Sequence, residues 1–267
     1  MIEYAYLNGQ ILPALEAVIG IHDIGLLRAY GVFDFFRVVD GRPIFMDDYL
    51  DRFERSAAGL HLEVPFTRAE LSEAILTLIE KNYQPLLGMR LVCTGGYSPD
   101  AYTPVRPNVF ILARPFTFHP YTHGLKLATV AFQRELHTIK STNYLQPISM
   151  LKSLHEKAAD DVLYHHEGLV TESSRSNVFI VKNGVLITPA EGMLEGITRK
   201  RILSFSSEIM PTELRPVRLK ELFEADEVFL SASTKRISPV TAIDHVRYAS
   251  GPYTHLLYKR LLEEEGR

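Results

Sequence analysis

Three short segments of this sequence carry side chains whose types and order could do chemistry. Lys140 lies in the polar loop TIKSTNYL, after a predicted strand and before a predicted helix, where its amine can point into a cleft. Glu172 follows among small polar residues, in VTESSRSN. Gly196-Ile197-Thr198 opens another predicted helix, so its backbone N–H groups and the Thr198 hydroxyl can bind phosphate at the positive helix end.

These three features together meet the needs of pyridoxal phosphate (PLP). A lysine forms a Schiff base with the aldehyde, a carboxylate stabilises the protonated pyridine nitrogen, and N–H and hydroxyl donors hold the phosphate. Taken singly, each feature has an ordinary explanation: a solvated lysine, an exposed turn glutamate and an N-capped helix. The ordered set therefore predicts a PLP site with Lys140 at the aldehyde and Glu172 at the ring nitrogen.

Composition and charge narrow the class of protein. The chain has 267 residues and a formal net charge of −3, so its charge favours neither nucleic acid nor a membrane surface as a partner. Its one cysteine, Cys93, excludes an internal disulfide and is expected to be a buried apolar residue. We see no signal-peptide pattern and no stretch long enough to span a membrane, and we expect a cytoplasmic protein.

The sequence does not predict a metal site. His165 and His166 are adjacent on a predicted strand, so their side chains face opposite ways and chelate one ion poorly. The sequence also lacks GxGxxG, P-loop and Cys/His zinc spacings.

Alternating apolar residues around tight turns predict strands. Hairpins are expected at Asn8-Gly9, Asp40-Gly41 and Asn183-Gly184, because Asn-Gly and Asp-Gly favour two-residue turns. Further strands are predicted over residues 90–96, 108–114, 125–132 and 226–232.

Apolar residues at helical spacing predict the helices. One is expected over 47–59, with Gly59 as its C-terminal cap, and another follows the capping box of Thr67 and Glu70. Others are predicted over residues 149–161, 198–209 and 251–265. Two prolines, a glycine and no helical period in PFTFHPYTHG (115–124) indicate a linker, placed at 118–124, between domains at 1–117 and 125–267.

The segments IKSTNYL, VTESSRSNVF and LEGITR resemble those of fold-type IV PLP enzymes, the class IV aminotransferase family. This family includes branched-chain aminotransferases, D-amino-acid aminotransferases and aminodeoxychorismate lyases, and the resemblance covers nearly the whole chain. DDYLDRFERSA resembles the helix with a phosphate-binding arginine, and ADEVFLSASTKRISPV resembles a late strand with its phosphate loop. The resemblance implies that the cofactor is bound by Arg52, Lys140, Tyr144, Glu172, Leu194, Ile197, Thr198, Ser233 and Thr234.

The resemblance also implies an architecture and a mechanism. The expected class is α/β, with a small N-terminal α/β domain, a larger C-terminal pseudo-barrel domain and PLP in the cleft between them. A homodimer is implied, in which the partner's N-terminal loop reaches the active site. Lys140 would move a proton between the substrate α-carbon and C4′ of the cofactor, and Tyr144 or Arg134 would hydrogen-bond its phenolic oxygen.

Substrate choice depends on the groups that bind the α-carboxylate. D-amino-acid aminotransferases of the better-known pattern use an arginine and a histidine, where this chain has Asp100 and Tyr102 in SPDAY. Arg28, which the partner subunit could supply, and Arg175 are candidates for an alternative trap, because a guanidinium binds carboxylates bidentately. Both could equally be structural ion-pair partners. Phe33, in GVFDFFRV, is expected to line the pocket.

We therefore expect a transaminase that moves an amino group between an amino acid, with D-amino acids favoured, and a 2-keto acid. A branched-chain L-aminotransferase and an aminodeoxychorismate lyase remain alternatives, although lyases usually carry a threonine in the segment where this chain has Phe35. Simple (R)-amines also remain possible substrates. A PLP-binding homologue without turnover is disfavoured because Lys140 and Glu172 are both present.

Overall fold

The structure, a computed structural model, describes residues 2–118 and 120–266. Its backbone divides into two compact units, the first formed by residues 2–117 and 139–144 and the second by the remaining described residues. The segment with Lys140 therefore belongs to the unit formed by the N-terminal part of the chain. The domain boundaries expected from the sequence stay a prediction, and His119 of the expected linker lies outside the described residues.

Within the described residues, the first unit is built on an antiparallel sheet of six strands. The strands are β1 Tyr4–Leu7, β2 Gln10–Pro13, β3 Gly31–Val39, β4 Arg42–Pro43, β5 Leu86–Thr94 and β6 Val109–Pro115. They are hydrogen-bonded in the order β2-β1-β6-β5-β3-β4. The hairpins predicted at Asn8-Gly9 and Asp40-Gly41 are confirmed, and both glycines have the positive φ that such turns require.

Helices cover one face of this sheet. They are α1 Ile24–Arg28, α2 Met46–Gly59 and α3 Arg68–Lys81. The predicted capping box is confirmed, since Thr67 and Glu70 exchange hydrogen bonds at the start of α3. Helix α2 packs on β3, and α3 packs on β1 and β6. Leu50, Phe53 and Ile75 are fully buried there, so the amphipathic pattern in the sequence marks the core face of both long helices.

The predicted role of Gly59 as a C-terminal cap is wrong. Helix α2 includes Gly59, and the cap is Leu60, whose φ of −101° lies outside the left-handed region. A Cβ added to Gly59 would lie 2.7 Å from Cδ1 of Ile139, which is itself buried. Glycine is therefore needed here because Ile139, the residue before Lys140, packs against the last turn of the helix.

The second unit contains a larger mixed sheet. Its strands are β7 Leu125–Ala131, β8 Asp161–His166, β9 Leu169–Ser173, β10 Asn177–Lys182, β11 Val185–Thr188, β12 Thr212–Leu214, β13 Val217–Arg218, β14 Glu227–Ala232, β15 Arg236–Ile243 and β16 Val246–Arg247. The order is β12-β11-β10-β14-β15-β7-β8-β9-β13, with β16 beside β15. β7 runs parallel to both β8 and β15. The hairpin predicted at Asn183-Gly184 is confirmed.

This sheet closes on itself through one residue pair. Glu172 of β9 pairs with Asn177 of β10, although the two strands stand apart in the main strand order. The closed path runs β10-β14-β15-β7-β8-β9 and back to β10. Apolar side chains from all six strands form one buried cluster. The expected mixed α/β class and the barrel-like sheet of the C-terminal part are therefore confirmed.

The helices of the second unit are α4 Leu145–Ser149, α5 Leu151–Glu156, α6 Ile197–Phe205, α7 Leu219–Phe223 and α8 Pro252–Glu264. A short 3-10 helix, Ser206–Glu208, follows α6. In residues 2–118 and 120–266, none of the helices has the length and hydropathy needed to cross a membrane.

Two local predictions fail in the second unit. The helix predicted over 149–161 stops at Glu156, because Ala158 adopts a left-handed φ of +50° and Asp161 already begins β8. Strand β15 was not predicted as a separate strand. Pro239 lies inside it, opposite Phe229 of β14, and a proline within a run normally argues against a central strand.

Replacing Gly59 with alanine is expected to give no gain in stability, although alanine normally favours a helix by about 1 kcal/mol over glycine. The new Cβ would meet Ile139, whose buried side chain would have to move. Alanine at position 139 lacks both Cδ1 and Cγ1, which lie 2.7 and 3.1 Å from the new Cβ, so Gly59→Ala in the Ile139→Ala background is expected to stabilise the protein by about 0.5–1 kcal/mol. Urea unfolding of the four proteins measures both effects. An equal gain in both backgrounds would show that Ile139 does not constrain Gly59.

Candidate active site

The segment that carries Lys140 is held by strand-like hydrogen bonds rather than by a loose loop. Phe33 N–H donates to the carbonyl of Lys140 at 2.9 Å, and Thr142 N–H donates to the carbonyl of Gly31 at 2.9 Å. Lys140 N–H in turn donates to Oγ of Ser56, on α2, at 3.2 Å. Residues 139–144 therefore lie along the start of β3, and the backbone of Lys140 is fixed from both sides.

Three residues expected at the cofactor or substrate come together around one ring. Nζ of Lys140 lies 4.7 Å from the centroid of the Phe33 ring. Tyr144 meets the same ring edge-on, with the centroids 5.7 Å apart. We call Lys140, Phe33 and Tyr144 the lysine cluster. Its aromatic walls shield the amine from bulk water on that side, which suits a lysine that reacts with an aldehyde.

Arg52 lies on α2 and is tied to the neighbouring strand. Its Nε and Nη2 donate to the Asp34 carboxylate of β3 at 2.8 and 2.6 Å, and both side chains are almost fully buried. Burial lowers the pKa of Arg52, and the neighbouring Asp34 raises it. The net result is a pKa above the ordinary value. The bidentate pair fixes the plane of the guanidinium.

Arg90 is a functional candidate that the sequence analysis missed. Its Cζ lies 5.3 Å from the centroid of the Phe33 ring, the ring that Lys140 also contacts. Its Nε is buried and has no hydrogen-bond partner among the described residues. Burial and the nearby Arg114 lower its pKa. The register of β3 and β5 places Arg90 opposite Phe35, on the face that also carries Phe33, so alternation along RLVCT could have found it.

In the second unit, Glu172 is a buried carboxylate with both oxygens engaged. Oε1 accepts from Nε and Nη2 of Arg134 at 3.0 and 2.9 Å, and Oε2 accepts from Leu194 N–H at 3.1 Å. Arg134 also donates to the carbonyl of His137. The resemblance suggested Arg134 for a phenolic oxygen, whereas here it orients the glutamate. We call Glu172, Arg134 and Leu194 the carboxylate cluster.

The start of α6 has no side-chain cap among the described residues. Its N-cap is Gly196, which has no side chain with which to cap the first N–H groups, those of Ile197 and Thr198 among them. Asn177 explains the glycine, because a Cβ there would lie 2.1 Å from Oδ1 of Asn177. Nδ2 of Asn177 also donates to the carbonyl of Leu194 at 2.7 Å.

Ser233 and Thr234 lie in the turn that joins β14 to β15. Strand β14 pairs with β10, and Ser231, two residues before this turn, lies opposite Asn177. Asn177 therefore has Glu172 as its partner on one side and the strand that leads to Ser233 on the other. Within the second unit, the expected ring-nitrogen partner and the expected phosphate residues thus meet around one asparagine.

The two arginines expected at the substrate carboxylate are both exposed. Arg28 ends α1 and donates to the carbonyl of Leu27 at 3.0 Å. Arg175 lies in the turn after Glu172. In the SPDAY loop, Asp100 accepts hydrogen bonds from the N–H groups of Thr103 and Tyr102, and these hold its pKa well below the ordinary value. Asp100 thus stabilises its own loop as an anion and would repel a carboxylate.

The groups present fit PLP. Lys140 presents an amine against aromatic rings, Glu172 presents a carboxylate oriented by an arginine, and Gly196 leaves a helix start open to phosphate. Among the described residues, no group of three or more His, Cys, Asp or Glu side chains could hold a metal ion.

Comparison with known proteins agrees with this donor set. Residues 31–243 match the family model described as amino-transferase class IV. A candidate branched-chain-amino-acid aminotransferase of Methanocaldococcus jannaschii is 32% identical over 90% of this chain and 87% of its own length. The D-alanine aminotransferase of Bacillus licheniformis is 31% identical over 91% of this chain and 89% of its own length.

Among solved structures, the branched-chain aminotransferase of Thermoproteus uzoniensis, crystallised with norvaline, superimposes with a TM-score of 0.92. It is 29% identical, and the match covers 98% of this chain and 95% of that one. The expected family, the fold type and the cofactor are confirmed by these matches. The chain therefore belongs to the class IV aminotransferases and is a PLP-dependent enzyme of fold type IV.

Proposed function

We propose that this aminotransferase takes its amino group from D-amino acids and passes it to 2-keto acids. The observation that carries the proposal is Arg90, whose buried Nε is without a partner in the described residues and which shares the Phe33 ring with Lys140. A guanidinium with an unpaired Nε, packed on the same ring as the Lys140 amine, suits a substrate carboxylate. The D-alanine aminotransferases that resemble this chain over nearly its whole length support the D hand.

Each unit supplies part of the chemistry in this proposal. Bound PLP supplies an electron sink for negative charge at the substrate α-carbon. Lys140 would hold the cofactor at its aldehyde carbon, and its amine would move the proton at the substrate α-carbon as general base and then acid. Glu172 would accept a hydrogen bond from the pyridine nitrogen, and Arg134 and Leu194 N–H keep its carboxylate in place.

The phosphate is proposed to bind to donors from several elements. These are the first N–H groups of α6 at Ile197 and Thr198, the turn residues Ser233 and Thr234, and the Arg52 guanidinium that Asp34 orients. Leu194 and Tyr144 are proposed to flank the cofactor ring. Arg28 and Arg175 remain proposed partners of Arg90 in binding the α-carboxylate, with Phe33 as the apolar wall.

Phe35 weighs against the lyase alternative. Its side chain is buried, and its ring lies 5.9 Å from that of Phe116, so the position is used for packing. It has no hydroxyl to offer, whereas lyases of this family usually carry a threonine in this segment. Release of pyruvate from aminodeoxychorismate in the absence of a keto acid would favour the lyase over the transaminase.

The half-reaction with a single amino donor tests the hand of the substrate. Purified holoenzyme mixed with D-alanine or D-glutamate is expected to lose the yellow absorbance of bound PLP, and pyruvate or 2-oxoglutarate should restore it. L-Leucine should leave the absorbance unchanged, and so should D-alanine with Lys140→Ala. Bleaching by L-leucine alone would replace the proposal with an L-specific branched-chain activity.

Removing Arg90 tests the carboxylate trap. Arg90→Ala is expected to lower kcat/KM for a D-amino acid by about 10- to 100-fold, because charge-assisted hydrogen bonds to the carboxylate are lost. The activity toward a neutral (R)-amine should change far less. Arg175→Ala should show the same selectivity with a smaller effect. Arg247→Ala, at an exposed arginine on β16, is the matched control and should leave both substrates unaffected. Equal losses with the acid and the amine would refute the trap.

We also propose that the enzyme works as a homodimer. Leu15, Val18, Ile21 and Leu26 in the N-terminal segment are each at least 70% exposed, an unusual concentration of exposed apolar side chains. Light scattering is expected to give the mass of two chains, and Leu26→Asp should shift the mass toward one chain. Leu76→Asp, at a half-exposed leucine on α3, is the control and should leave the mass unchanged. A monomeric wild-type enzyme would exclude the proposal.

A further inference from the structure

Asp161, at the start of β8, is a buried carboxylate that none of the roles above uses. It is 3% exposed, and all its contacts lie within the second unit. Oδ2 accepts from the hydroxyl of Ser173 at 2.9 Å, and Oδ1 accepts from the hydroxyl of Ser174 at 2.5 Å. Nζ of Lys235 lies 3.6 Å from Oδ2. One carboxylate therefore binds two serines of one turn and a lysine of another.

The serines belong to the turn that follows Glu172. Ser173 is the residue after Glu172, and its N–H donates to the carbonyl of Ser176 at 2.8 Å, which closes the turn around Ser174 and Arg175. The hydroxyl bonds to Asp161 anchor this turn to β8. Arg134 thus holds the carboxylate of Glu172, and Asp161 holds the turn that directly follows Glu172 in the chain.

The lysine belongs to the turn with the proposed phosphate residues. Lys235 directly follows Ser233 and Thr234, and its N–H donates to the carbonyl of Ala232 at 3.1 Å. Its side chain is largely buried, and burial lowers its pKa while Asp161 raises it and Arg175 lowers it. The carboxylate of Asp161, 3.6 Å from Nζ, therefore offsets the burial of the ammonium group and the positive charge of Arg175.

We propose that Asp161 is a positioning residue that ties the Glu172 turn to the Ser233–Lys235 turn and so keeps the two ends of the PLP site at a fixed separation. The inference rests on the proposed roles of Glu172, Ser233 and Thr234. A ligand that reaches both turns depends on their separation, whereas a ligand that reaches only one does not. Asp161 therefore controls the affinity for PLP much more than the affinity for either half of it.

Three ligands separate these cases: PLP, pyridoxal, which lacks the phosphate, and inorganic phosphate, which lacks the ring. Each is titrated into enzyme from which PLP has been removed, with phosphate measured by competition. Asp161→Ala is expected to weaken PLP by about 10- to 100-fold and each half-ligand by less than about threefold. The absorbance of PLP that still binds should shift as well, because Glu172 no longer meets the ring nitrogen squarely.

Two further variants keep the test decisive. Ser174→Ala removes one of the hydroxyl bonds, is mild enough to fold, and should weaken PLP by about 3- to 10-fold with the same selectivity. Asp160→Ala is the matched control, since the side chain of this exposed neighbour accepts the N–H of Lys126 and, among the described residues, forms no hydrogen bond or ion pair with either turn. Its PLP affinity should equal that of the wild type.

The outcomes separate a failure of the Asp161 inference from a failure of the proposed function on which it rests. Equal weakening of PLP, pyridoxal and phosphate would mean that Asp161 only stabilises the fold, and unchanged PLP affinity would mean that it positions nothing. Either result overturns the inference and leaves the aminotransferase proposal intact. If Glu172→Ala and Ser233→Ala left PLP binding by the otherwise wild-type enzyme unchanged, the proposed site itself would fail.

Discussion

The pairing of Glu172 with Asn177, which closes the sheet of the second unit, is the constraint on which the rest of that unit's site depends. These two residues bind both backbone polar groups of Leu194: Glu172 accepts from its N–H, and Asn177 donates to its carbonyl. The chain then has to enter α6 at once, and only glycine at 196 leaves room for the asparagine side chain. The direction of the first helical N–H groups therefore follows from how the sheet closes, since backbone pairing leaves little freedom in a register.

The first unit positions its reactive amine in a related way. The segment that carries Lys140 lies along the start of β3 as an added strand would. In the last turn of α2, glycine at position 59 leaves room for Ile139 of this segment. The same strand has Phe33 on the face with Arg90 and has Asp34 on the face with Arg52. Because side chains alternate between the two faces of a strand, the proposed substrate contact at Arg90 and the proposed phosphate contact at Arg52 lie on opposite faces of the sheet.

Local chemistry in the sequence predicted much of this, and long-range pairing did not. The capping box at Thr67 and the hairpin at Asn183-Gly184 are written in neighbouring residues, so they could be predicted without the fold. Lys140 and Glu172 were found by their order and surroundings. Gly59 was misassigned because its reason is Ile139, eighty positions away. Arg90 escaped notice because a charged residue in a strand looks ordinary until its neighbours in space are known, and Asp161 was missed because it was assigned to the end of a predicted helix.

The late position of residues 139–144 in the sequence affects how the chain folds while the ribosome makes it. They complete the first unit, yet residues 118–138, which precede them, belong to the second. When the first 117 residues have emerged, the outer side of β3 at Gly31–Phe33 still lacks its backbone partner. Its N–H and C=O groups stay open to other strands until residue 144 is made. The N-terminal unit therefore cannot finish folding before Lys140 has been synthesised, so the lysine proposed to react lies in the same segment that completes the unit.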